Sequence, residues 1–265
     1  MTNRRWMQIV SVTACVLCLW ETTARGAVVM VAVAANFVPP FNEIAAEFQK
    51  VTGHVVQSSS GSSGRFYTQI KNGAPFEVFF SADDERPKLL EDEGLGVKGS
   101  RFTYAVGRLV LWSPDPNLVK DEQILRDGTF QHLALANPKT APYGVAAMQS
   151  MQKLGVWDSL QPRLVMGENL GQTIGFIDSG NAELGFLALS QVMDPKIAGK
   201  GSRWDVPENL HEPIKQDVVL LKKGEKNPAA KALMEFMRGL QALAVIERYG
   251  YALRRFGSEL KGERP

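Results

Sequence analysis

Apolar residues in this chain fall into short continuous runs, each followed by a small polar turn and then by apolar positions three or four apart. Val28–Ala34 is an unbroken run rich in β-branched residues, the pattern of a strand covered on both faces of a parallel sheet. Pro39 and Pro40 suit the first turn of a helix. Phe41, Ile44, Ala45 and Phe48 then recur at helical spacing until Gly53. Residues 54–57 read as a second strand, and Phe66 and Ile70 mark a short helix ending at Asn72-Gly73. Val78–Phe80 is a third strand, followed by a helix through Leu89 and Leu90. Residues 105–112 read as one longer strand, stopped by Ser113-Pro114-Asp115-Pro116. A second alternating set follows: strands at Leu133–Ala136, residues 164–166 and Leu184–Ala188, with helices opened by Tyr143 and by the Asn169-Leu170 turn. Residues 196–209 lack periodicity and read as a loop, residues 218–221 as a strand, and the C-terminus as two helices.

Strand–helix alternation predicts an α/β fold. Two such units of similar size, with long strands at their junction, predict two lobes with a ligand cleft between them. Ligands of open α/β sheets sit beyond the carboxyl ends of the strands, and two lobes bring such ends face to face. The expected division is residues 27–108 as the first part of lobe 1, 109–212 as lobe 2, and 213–265 as a crossover strand with C-terminal helices returning to lobe 1.

Residues 1–26 read as an export signal: Arg4 and Arg5 precede an apolar run over residues 7–20, and Ala24-Arg25-Gly26-Ala27 offers small residues for cleavage. That run is shorter than the roughly 20 residues a spanning helix needs. Val12-Thr13-Ala14-Cys15 matches a lipid-attachment box loosely, and Arg4-Arg5 a twin-arginine signal weakly. Removing Arg4, Arg5, Arg25 and Glu21 from the 30 basic and 28 acidic residues leaves 27 of each. A neutral mature chain removes the electrostatic case for nucleic acid or a polybasic membrane contact. Both cysteines, Cys15 and Cys18, fall inside the signal, so no disulfide, zinc–thiolate site or cysteine nucleophile is expected.

Candidate chemistry lies in the turns. Gly61-Ser62-Ser63-Gly64 stands between a strand and a helix, as does Ala35-Asn36. Such turns aim free backbone N–H groups and the positive end of a helix dipole at an anion. Tyr143-Gly144 and Asn169-Leu170 repeat the arrangement, giving two turns in each expected lobe. None carries the Gly-Lys-Ser/Thr of a nucleotide loop, and Arg65 is the one cation nearby. Neutral donors suit a dehydrated oxyanion, whereas phosphate esters usually recruit fixed positive charge. Asp83 and Asp84 read as helix-capping residues. His54, His132 and His211 are isolated, without metal-ligand spacing, and no serine has the setting of a nucleophile.

Several ordered segments resemble the periplasmic molybdate-binding proteins of ABC importers. They are Val31-Ala-Val-Ala-Ala-Asn36, Ser58-Ser-Ser-Gly-Ser-Ser63-Gly64, Gly73-Ala-Pro-Phe-Glu-Val-Phe-Phe-Ser-Ala-Asp83 and Asn137-Pro-Lys-Thr-Ala-Pro-Tyr-Gly144, with Gln152-Lys-Leu-Gly-Val-Trp157 and Arg248-Tyr-Gly-Tyr251. The resemblance covers residues 28–255. It implies a two-lobed type II periplasmic-binding-protein fold, with molybdate or tungstate bound as a transported ligand, no cofactor and no catalytic residue. It further implies a monomer that delivers the ligand to a membrane permease. The family's binding positions fall on the Ala35 backbone, the Asn36 side-chain amide, Ser63, Tyr143 and Leu170, which would hold molybdenum as the oxyanion rather than as a cation. A tyrosine usual in the family falls on Ala188, and the Tyr143 phenol is expected to replace it. Glu77 stands where aspartate is common, a change expected to lie on the lobe surface. Two rival readings are the same fold holding sulfate or another oxyanion, and an enzyme acting on a phosphate-bearing substrate.

Overall fold

The computed structural model describes residues 26–253. The expected export signal, apart from Gly26, and both cysteines lie outside the described residues.

Lobe 1 opens with β1 (Val28–Ala34), a short 3-10 turn (Ala35–Phe37) and α1 (Val38–Thr52). Pro39 and Pro40 lie in the first turn of α1, Phe41, Ile44 and Phe48 face the core, and Gly53 ends it at φ 70°, a conformation that favours glycine. Next come β2 (Val55–Gly61), α2 (Ser63–Lys71), β3 (Val78–Phe80), α3 (Glu85–Asp92) and β4 (Phe102–Gly107). Lobe 2 holds β5 (Leu109–Ser113), α4 (Ile124–Asp127), β6 (Leu133–Ala136), α5 (Pro142–Lys153), α6 (Trp157–Leu160) and β7 (Leu164–Gly167). It continues with α7 (Leu170–Asp178), β8 (Leu184–Ala188), α8 (Leu189–Val192) and β9 (Ser202–Asp205). The chain then returns through β10 (Ile214–Leu220), α9 (Pro228–Phe236) and α10 (Leu240–Arg248).

The two sheets share one plan. Their strand orders are β2-β1-β3-β10-β4 and β7-β6-β8-β5-β9. In each, three parallel strands are followed by an antiparallel strand, β10 or β5, that has just crossed from the other lobe. The helices α9 and α10 pack on lobe 1, with Leu233, Met237 and Ile246 in one buried cluster with Phe37, Phe41 and Phe48.

Four sequence expectations change. Residues 105–112 are not one strand: β4 ends at Gly107 and β5 begins at Leu109 in the other sheet, with Arg108 as the crossing. A Cβ at Gly107 would lie 2.1 Å from Tyr143 Oη and 2.5 Å from Gln216 Nε2, so only glycine lets the crossing pass. Gly107→Ala is expected to destabilise the protein by about 1–3 kcal/mol through overpacking, read as a lowered thermal midpoint. The strand at residues 218–221 begins four residues earlier, because Gln216 and Asp217 are fully buried polar residues. Part of the expected loop 196–209 forms β9, an edge strand paired to β5. Glu77 is not free on the surface: its carboxylate accepts the Met30 N–H at 2.9 Å and the Asn227 amide at 2.9 Å, tying β1 to the start of α9. Asp83 caps α3 as expected, accepting the Arg86 N–H at 2.8 Å and pairing with its guanidinium; Asp84 makes no cap bond.

Candidate oxyanion site between the lobes

All five sequence-predicted residues, Ala35, Asn36, Ser63, Tyr143 and Leu170, line one cavity between the lobes. Each stands where a strand of a parallel set gives way to a helix. Ala35 and Asn36 form the 3-10 turn after β1, and Ser63 opens α2 after β2. Tyr143 follows Pro142 at the start of α5, and Leu170 is the first residue of α7. The first N–H groups of a helix have no intrahelical acceptor, so four sets of donors and four positive dipole ends converge from two lobes. None of the lining side chains is charged.

The surrounding charges are paired. Arg86, whose guanidinium lies close to Gly64, pairs with Asp83. Burial pushes the Asp83 carboxyl up from the usual carboxylate range, and Arg86 opposes that shift. Arg65 faces Glu168 of the other lobe at 3.6 Å. The lobes also meet through the Gly64 N–H, which donates to the Thr140 carbonyl at 2.9 Å.

The cavity is small, about 10 Å³, roughly the room one water molecule needs. Larger hollows of about 260 and 270 Å³ lie elsewhere. Charged side chains of both signs line them, Arg108 with Asp205 in one and Arg86 with Asp84 in the other.

Side-chain bonding assigns the donors. Ser63 Oγ accepts the Ala82 N–H at 2.9 Å, which leaves its own proton to donate. Asn36 departs from the expectation. Its Nδ2 donates to Gln216 Oε1 at 2.7 Å and to Tyr251 Oη at 3.0 Å, so both amide protons are committed and the turn offers backbone N–H groups instead. Tyr143 Oη accepts from Gln216 Nε2 at 3.0 Å and also bonds the Tyr251 phenol, so the phenol belongs to the buried network and is not the free donor the sequence led us to expect. Burial raises this phenol well above its ordinary range, so it stays protonated at neutral pH. Ala188 does not line the cavity; its N–H donates to Gln191 Oε1 at 3.2 Å, and Gln191 Nε2 donates to the Leu170 carbonyl at 3.0 Å.

Beneath the cavity lies a buried polar network that the sequence reading missed. Gln216 Oε1 also accepts from Tyr104 Oη at 3.0 Å. Ser190 Oγ donates to the Asn36 carbonyl at 2.7 Å, and Tyr251 Oη lies 2.9 Å from both. Burial pushes the Tyr251 phenol up to about 12. The network joins turns of both lobes at the crossing strands. Among the described residues, no His, Cys, Asp and Glu group stands together closely enough to hold a metal ion.

Comparison with known proteins agrees with this architecture. The profile of the bacterial extracellular solute-binding protein family matches residues 29–252. The molybdate-binding protein ModA of Azotobacter vinelandii is 55% identical over 237 residues, covering 89% of this chain and 94% of its own. The Rhodobacter capsulatus ModA is 52% identical over 223 residues, covering 84% and 87%. A solved periplasmic molybdate-binding protein from Azotobacter vinelandii superposes with a TM-score of 0.83 at 43% identity, covering 86% of this chain and all of that one. With its fold, its cavity and these relatives in agreement, this chain belongs to the bacterial extracellular solute-binding protein family.

Proposed function

We propose that this protein captures molybdate, and also tungstate, in the periplasm as a monomer and delivers it to the permease of an ABC importer. One observation carries the reading: four helix starts from two lobes converge on a single cavity lined by no charged side chain. The high identity to proteins named for molybdate binding supports the choice of anion. The donors are the backbone N–H groups of Ala35, Asn36, Tyr143 and Leu170, with the Ser63 hydroxyl. The protein acts by binding: among the described residues no charged side chain lines the cavity, and the anion leaves as it entered.

Selectivity follows from reach. A larger tetrahedral anion touches all the donors at once. Sulfate, with shorter bonds, leaves some unsatisfied at about 1–3 kcal/mol each. Calorimetric titration is expected to give molybdate and tungstate similar affinities, with sulfate at least about tenfold weaker, the equivalent of 1.4 kcal/mol. Equal affinity for sulfate would sink the molybdate reading and leave the general oxyanion site.

A further inference from the structure

We propose that Ser62 is a further anion-binding residue whose hydroxyl donates to the bound tetrahedral oxyanion. The assignment rests on the oxyanion reading of the cavity. Ser62 is the residue immediately before α2, with extended backbone (φ −83°, ψ 148°). A serine there normally turns its hydroxyl oxygen onto the first N–H groups of the helix. Ser62 makes no such bond. It lines the cavity, is 3% exposed, and its buried hydroxyl oxygen has no hydrogen-bond partner among the described residues.

The other fully buried serines differ. Ser63 and Ser81 accept backbone N–H groups, and Ser113, Ser150 and Ser190 donate to backbone carbonyls. A buried hydroxyl without a partner is costly and rare. At Ser62 the missing partner is the cavity's occupant. A hydroxyl can donate or accept, but next to an anion it must donate. Ser62 and Ser63 then form adjacent donors from one turn. They differ in origin: the Ser63 oxygen is anchored from behind by Ala82, whereas Ser62 has only the ligand to bond.

That difference gives a test on the full-length exported protein. Molybdate is titrated into the unaltered protein and Ser62→Ala, and the ligand-free thermal midpoint of each is measured. Ser62→Ala is expected to bind molybdate about tenfold to a hundredfold more weakly, the range of a hydrogen bond to a charged group. Its ligand-free midpoint should equal or exceed that of the unaltered protein, because the hydroxyl removed has no partner there. Undiminished affinity in Ser62→Ala, beside binding by the unaltered protein, overturns the assignment alone. So does a weaker affinity accompanied by a lower ligand-free midpoint, which would mark an internal structural role. If the unaltered protein binds neither molybdate nor tungstate nor sulfate, the reading of the cavity fails and the assignment falls with it.

Discussion

Gln216→Leu is expected to lower both the stability of the protein and its affinity for the anion, although Gln216 does not line the cavity. Its side chain is fully buried and bonds three residues: Asn36 at 2.7 Å, Tyr104 at 3.0 Å and Tyr143 at 3.0 Å. Leucine has nearly the same volume, so no cavity forms and the effect reports lost hydrogen bonds. Tyr104 can still donate to the Ser81 carbonyl at 3.1 Å. Asn36 loses one of its two acceptors and Tyr143 loses its donor. Each buried group left without a partner costs about 1–3 kcal/mol, for a total of about 2–6 kcal/mol. For a chain of this size that corresponds to a fall of roughly 4–24 °C in thermal midpoint. Asn36 and Tyr143 stand at the turns of opposite lobes, so loosening them also misplaces N–H donors on both sides of the ligand. Calorimetry should show molybdate binding about tenfold weaker, a 1.4 kcal/mol loss. An unchanged affinity would show that the network supports the hinge without positioning the turns.

Ser63→Ala is expected to weaken molybdate binding by about tenfold to a hundredfold, and here the ligand-free protein should lose stability too. The hydroxyl has two tasks. Its proton faces the anion, and a hydrogen bond to a charged acceptor contributes about 1.5–3 kcal/mol. Its oxygen accepts the buried Ala82 N–H at 2.9 Å. Alanine removes both, stranding that N–H at a cost of about 1–3 kcal/mol. A lowered ligand-free midpoint in Ser63→Ala, beside an unlowered one in Ser62→Ala, would separate the two adjacent serines by mechanism. Intact oxyanion binding in Ser63→Ala would defeat the placement of this turn at the ligand.

Much of this architecture was legible in the chain, because its local signals agree with its global plan. The apolar run of β1, the two prolines opening α1 and the glycine ending it each specify the element that forms. The turns were legible because a small polar residue between a buried strand and an amphipathic helix has few other uses. Other features gave no such signal. Gln216 and Asp217 lie outside the expected strand, yet they are buried in β10 and bonded by side chains 73 to 180 residues away in sequence. Gly107 reads as one residue of a continuous strand. Its need to be glycine comes from Tyr143 and Gln216, which arrive from elsewhere in the chain.

The sequence by itself determined the α/β class, the placement of the turns and the uncharged character of the donors, since each depends on residues close together in the chain. Tertiary structure alone decided which polar atoms of those turns stay free for a ligand. Asn36 supplies backbone rather than amide, because Gln216 and Tyr251 take its side-chain protons. Ser63 donates, because Ala82 occupies its oxygen. Ser62 is left with a buried hydroxyl that finds no partner among the described residues. A donor's direction is fixed by whatever else bonds the same group, and in this protein those partners come from distant parts of the chain.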